Sequence, residues 1–84
     1  VLYQNSPNPF SQSTEIKYYL PTSVSKASLY IYDMQGSQLK QINLTTRGNG
    51  SVTISASEFN AGMYLYALIA DEKEIGVKRM ILTK

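Results

Sequence analysis

Gly62-Met63-Tyr64-Leu65-Tyr66-Ala67-Leu68-Ile69-Ala70 is apolar at successive positions and ends on the charged tetrapeptide Asp71-Glu72-Lys73-Glu74. A short run that is apolar on both faces and closed by a charged tip reads as a central β-strand followed by a hairpin. On either side of this run the apolar pattern has a period of two almost everywhere, and no window shows a sustained helical stripe.

Downstream, Ile75 to Thr83 forms the returning strand. Upstream, Ser13 to Leu20 alternates with Ile16, Tyr18 and Leu20 on one side and stops at Pro21. Ser25 to Tyr32 places Ala27, Leu29 and Ile31 on one face, and Asp33-Met34-Gln35-Gly36 reads as a tight turn whose Gly36 takes a positive φ. From Ser37 to Thr45 the apolar parity switches between Leu39 and Ile42, which predicts a bulge near Lys40-Gln41. Arg47-Gly48-Asn49-Gly50 reads as a second turn, since Asn-Gly readily supplies two positive-φ residues. Ser51 to Ala56 alternates through Val52 and Ile54, and Ser57 to Ala61 is a short connection that turns Phe59 inward. With a short opening strand near Leu2-Tyr3, the pattern predicts an all-β, antiparallel sandwich of about seven strands.

Phe59-Asn60-Ala61-Gly62-Met63-Tyr64 sharpens that reading. A large apolar residue, a glycine and a tyrosine opening a central strand resemble the tyrosine corner of immunoglobulin-like sandwiches, in which the phenol bonds a backbone group upstream. The expected consequence is that Tyr64, Tyr66 and Leu68 point inward.

Composition narrows the chemistry. The 84 residues suit one small domain spanning 1–84. A net charge of +2, with basic residues scattered and only Lys78-Arg79 adjacent, does not describe a nucleic-acid partner or a membrane-binding surface. There is no cysteine and no histidine, which removes thiol and imidazole catalysis, disulfides and common zinc sites together. No segment approaches the roughly 18 apolar residues that span a bilayer as a helix, so no direct membrane insertion is expected. Asp33, Asp71, Glu72 and Glu74 read as solvated turn charges, and Glu15 and Glu58 are isolated. Paired-carboxylate catalysis and a calcium site at Asp71 to Glu74 are therefore not expected. No enzyme, cofactor or metal is predicted.

Leu2-Tyr3-Gln4-Asn5-Ser6-Pro7-Asn8-Pro9-Phe10 sets two prolines around an asparagine between aromatic residues. Each proline fixes its own φ and restricts the residue before it. Asn5 and Asn8 can bond neighbouring backbone. The segment is expected to be a stiff ribbon that delivers Phe10 to one place as a structural latch.

Four segments in order now resemble one family: Leu2-Tyr3-Gln4-Asn5 through Pro7-Asn8-Pro9-Phe10; Thr14-x-Ile16-x-Tyr18-x-Leu20-Pro21; Leu29-x-Ile31-Tyr32-Asp33-x-x-Gly36; and Gly62-x-Tyr64 with Lys78-Arg79-Met80-Ile81-Leu82. Together they resemble the type A C-terminal sorting domain of the type IX (Por) secretion system of Bacteroidetes, over essentially the whole chain. The resemblance implies a signal at the C-terminus of a larger exported protein. Such a signal addresses its passenger to the outer-membrane translocon and shuttle proteins after transit of the periplasm. It implies removal by a surface sortase, and a passenger left at the cell surface or in the medium. A chain opening on Val1 is expected to be a fragment of that larger protein, and one closing on Ile81-Leu82-Thr83-Lys84 fits its natural end.

A sorting signal must display a surface that its receptor reads. The exposed edge of the last strand is the physical expectation, because unpaired backbone groups can be extended by a partner. Lys78 to Lys84, with Arg79 between and with Gly62 and Tyr64 beside them, are the expected recognition residues; Lys78 and Arg79 point to opposite faces, so at most one is buried. A different reading rests on the seven tyrosines. Tyr18-Tyr19, Tyr30-x-Tyr32 and Tyr64-x-Tyr66 would supply stacking platforms for a carbohydrate-binding or adhesion accessory module.

Overall fold

The computed structural model describes residues 1–83. Six continuous strands and one short 3₁₀ turn follow in order: β1 (Ser13–Leu20), β2 (Ala27–Asp33), β3 (Gln38–Asn43), β4 (Gly48–Ser55), the turn Ala56–Glu58, β5 (Gly62–Ala70) and β6 (Lys73–Leu82). Every strand pairing between them is antiparallel, with β1-β4 in one layer and β3-β2-β5-β6 in the other. The N-terminal ribbon adds the seventh strand in interrupted form. Leu2 bridges Tyr18 and Ser6 bridges Glu15, on the edge of β1 that β4 leaves open. The residue numbers of these two bridges sum to 20 and then to 21, so one extra residue is accommodated between Tyr3 and Ser6. That arrangement is the antiparallel sandwich expected from the sequence, with the strand order of an immunoglobulin-like Greek key.

The alternation in each strand builds the core. β1 buries Thr14, Ile16, Tyr18 and Leu20; β2 buries Ala27, Leu29 and Ile31; β5 buries Tyr64, Tyr66 and Leu68 from the facing layer. Ile54, Met80, Leu82, Leu2 and Phe10 complete the same cluster. The central position of β5, between β2 and β6, explains its apolar character on both faces.

The β2–β3 turn and the β5–β6 tip are built differently. Gly36 has φ +88°, as the β2–β3 turn requires, and the Asp33 carboxylate accepts from the Gln35 and Ser37 N–H groups. The expected bulge in β3 sits slightly earlier than Lys40-Gln41. Ile31 faces Lys40 and Tyr32 faces Gln38, which leaves Leu39 as the extra residue. At the β5–β6 tip, Asp71 and Glu72 both adopt positive φ without any glycine.

Arg47-Gly48-Asn49-Gly50 is not a hairpin turn. β3 does not return to β4; the chain crosses to the other layer, and Asn49 and Gly50 lie inside β4 opposite Tyr19 and Tyr18. Gly50 is present for space rather than for a turn, since a Cβ there would lie 2.4 Å from the Tyr18 ring. Arg47 secures the crossing. Its guanidinium donates to the carbonyls of Val24 (2.9 Å), Ser25 (3.0 Å) and Leu44 (3.1 Å), satisfying backbone oxygens where neither sheet reaches.

The carboxylates are also less idle than solvated turn charges. Asp71 accepts from the backbone N–H groups of Ser25 and Lys26, tying the β5–β6 tip to the start of β2. Glu74 lies in β6 rather than in the tip. Glu58 pairs with Lys40, whose ammonium holds that carboxyl below the usual carboxylate range.

Candidate recognition end of the sandwich

The N-terminal ribbon meets the last strand at one end of the molecule, in a seam of hydrogen bonds. The Gln4 amide donates to the Arg79 carbonyl (2.6 Å), and the Asn8 side-chain oxygen accepts from the Ile81 N–H (3.0 Å). Phe10 N–H donates to the Ile81 carbonyl and Thr83 N–H donates to the Phe10 carbonyl, each at 2.9 Å. Phe10 thereby forms a short parallel bridge with Leu82 and is 2% exposed. Both Xaa-Pro bonds of Ser6-Pro7-Asn8-Pro9 are cis.

Behind the seam lies a buried polar network. The Asn5 side chain donates to Thr14 Oγ1 (2.9 Å) and to the Pro7 carbonyl (3.1 Å), and Thr14 Oγ1 donates to that same carbonyl (2.8 Å). Tyr66 joins the network from β5. Its phenol accepts from the Asn5 N–H (2.7 Å) and donates to the Tyr3 carbonyl (2.8 Å). Two residues far apart in sequence thus supply each other's buried partners, and no buried side-chain nitrogen or oxygen is left unpaired among the described residues.

Burial pushes the Tyr66 phenol up to about 12, against a smaller downward pull from the Asn5 N–H. An acid whose folded value exceeds its unfolded one favours the folded state while it stays protonated. The stabilisation is full below pH 10 and is lost as pH rises from about 10 toward 12. Urea melts across that range are expected to show falling stability in the native chain. Tyr66→Phe should be less stable at neutral pH by about 1–3 kcal/mol, from the buried Asn5 N–H left without a partner. It should also lose the part of the alkaline decline that belongs to this phenol.

The structure brings several of the expected residues together. Gly62 opens β5 opposite Leu82 with φ +151°, a backbone that favours glycine, and a Cβ there would meet nothing within 4 Å. Tyr64 faces Met80, stacks obliquely on Phe59 with ring centroids 5.2 Å apart, and donates to the Asn60 carbonyl, giving the expected tyrosine corner. Gly62, Phe10, Asn8 and Leu82 share this end of the sandwich. The β2–β3 turn that holds Gly36 lies at this same end, since Asp33 faces Tyr64, but no hydrogen bond among the described residues joins Gly36 to the seam.

Lys78 and Arg79 sit farther along β6, opposite Tyr66 and Leu65. They point to opposite faces as expected, and both are exposed. Lys84 lies outside the described residues. The expected open edge is half closed: Ile81 and Thr83 spend their outward backbone groups on Asn8 and Phe10. Sequence reading missed Gln4, Thr14 and Tyr66 as parts of this end. Each is a polar group in a strand pattern whose partner is fixed only by the fold.

Of the tyrosines considered as sugar platforms, Tyr18, Tyr64 and Tyr66 are buried. Tyr30 and Tyr32 are half-buried and side by side on the outer face of the four-stranded sheet, with ring centroids 6.1 Å apart.

A profile of the secretion system C-terminal sorting domain family matches residues 6–83. No curated protein and no solved structure matches the chain. The match runs from the proline-flanked ribbon through the final strand, the two segments that the seam joins. The chain belongs to the type IX secretion C-terminal sorting domains, the signals that mark proteins for export to the cell surface or medium.

Proposed function

We propose that residues 1–84 form one domain that carries an attached passenger from the periplasm through the outer-membrane type IX translocon. In this reading shuttle proteins escort it and a surface sortase removes the domain afterwards. The observation that carries the reading is the family match over residues 6–83. The domain acts as an address rather than as a catalyst, and the end formed by Gly62, Tyr64 and the last strand, with Lys78, Arg79 and Lys84, is the part its receptor reads. Asn5, Pro7, Asn8, Pro9 and Phe10 act as the latch that keeps that end in one shape, and Gly36 serves its turn alone.

Position dependence separates this role from that of a carbohydrate-binding accessory module. A passenger with residues 1–84 at its C-terminus should be exported, while the same residues placed ahead of the passenger should leave it in the periplasm. Equal export from either position would contradict the sorting role. Binding of the isolated chain to polysaccharide, without export from either position, would favour the accessory module.

A further inference from the structure

The outer edge of β6 is divided into two halves with different fates. In the distal half, Ile81 turns its N–H and carbonyl outward, and Asn8 and Phe10 take both. Alternation along an antiparallel strand turns Arg79 and Val77 outward as well. Gln4 takes the Arg79 carbonyl. The Arg79 N–H and both backbone groups of Val77 have no partner among the described residues.

Apolar side chains stand exposed along this part of the sheet. Ile75 is 43%, Val77 42% and Met63 39% exposed. Val77, Arg79 and Ile81 line up on the outer face of the sheet beside Ala67, Leu65 and Met63. Ile75 stands in a bulge, because Gly76 faces Leu68 while Glu74 faces Ile69. Lys78 and Arg79, the chain's adjacent basic pair, have no carboxylate in ion-pair range among the described residues, whose ion pairs are Lys17–Glu15 and Lys40–Glu58.

The other two edges lack this combination. β3 is interrupted by its bulge at Leu39, and its lysine is engaged by Glu58. β4 presents Asn49, Ser51, Thr53 and Ser55 outward, since the Ala56 N–H bond to Gln12 sets the opposite parity toward β1. That edge offers backbone groups but no charge.

We infer that the stretch Ile75–Arg79 of β6 is the docking strip for an extended segment of the export machinery, one with apolar residues flanked by a carboxylate. The segment adds as a short strand through the Val77 and Arg79 backbone groups, covers Val77, and sets its carboxylate against Arg79 on the same outer face. This moves the recognition edge from Lys78–Lys84 toward the middle of β6, because the latch already holds the rest. The inference rests on the sorting role proposed above.

Val77→Pro tests it, because it deletes an outward N–H that the β5–β6 ladder does not use, a place where an edge strand tolerates proline. Thr53→Pro, at an outward position of β4, is the matched control. Export of a C-terminally tagged fluorescent passenger would be measured beside thermal melts of each chain. Val77→Pro is expected to cut export at least tenfold with its melt little changed, while Thr53→Pro exports normally. Should Val77→Pro not fold, the charge-reversed Lys78→Glu/Arg79→Glu chain is read instead, with the same tenfold loss expected. Export within twofold of native from a folded variant would overturn the strip. Failure of the native chain itself to be exported would overturn the sorting role, and the strip with it.

Discussion

Phe10→Ala should destabilise the domain by about 3–5 kcal/mol. Phe10 is 2% exposed and belongs to the core cluster shared by the two layers. Its backbone also joins the ribbon to β6 through Ile81 and Thr83. A domain of this length has a total stability on the order of 4–13 kcal/mol, so the loss is a large share of the whole. Urea denaturation followed by circular dichroism measures it. A drop of that size supports the latch; a fold of native stability combined with lost export would instead make Phe10 a direct receptor contact.

Removing residues 80–84 should leave a chain that does not fold. Met80 is fully buried and Leu82 is 2% exposed, and losing a buried side chain of either kind costs about 2–5 kcal/mol. The deletion also takes away Ile81 and Thr83, the partners of Asn8 and Phe10. Circular dichroism of the shortened chain is expected to show the loss of sheet signal. Abolished export of such a truncation would therefore report unfolding, and a folded truncation would contradict the packing described for β6. Single substitutions at outward positions are the sound way to separate recognition from stability.

These effects mark where the sequence was readable and where it was not. β1 and β5 were legible to the residue, because strict alternation and a two-faced apolar run leave one choice of periodicity each. Asn49-Gly50 misled because a dipeptide suited to a hairpin is equally suited to a strand that must make room for a ring. Only the pairing of β4 with β1 puts the Tyr18 ring there. The N-terminal ribbon was legible as a stiff segment aimed at Phe10, since proline restricts the backbone locally. Its docking on Ile81 and Thr83 was not, because those contacts join residues more than 70 positions apart. Arg47, read only as part of a turn, and Asp71, read as a solvated turn charge, serve as backbone caps for the same reason: a carbonyl or N–H in need of a partner leaves no mark on its own residue type.

The proposed recognition edge shows the same limit. Sequence identified the last strand and its basic pair, and the family resemblance supplied a purpose. The division of that strand into a latched and an unlatched half depends on the parity of Ile81, Arg79 and Val77 relative to β5. Parity of backbone groups is a property of pairing, and pairing exists only in the fold.

The most direct measurement is the export of a fluorescent passenger carrying residues 1–84 at its C-terminus, behind an inner-membrane signal peptide. Two otherwise identical hosts would be compared, one with a working type IX translocon and one without. Fluorescence at the surface or in the medium of the competent host alone is the predicted result. Equal retention in the periplasm of both hosts, with the domain folded, would contradict it.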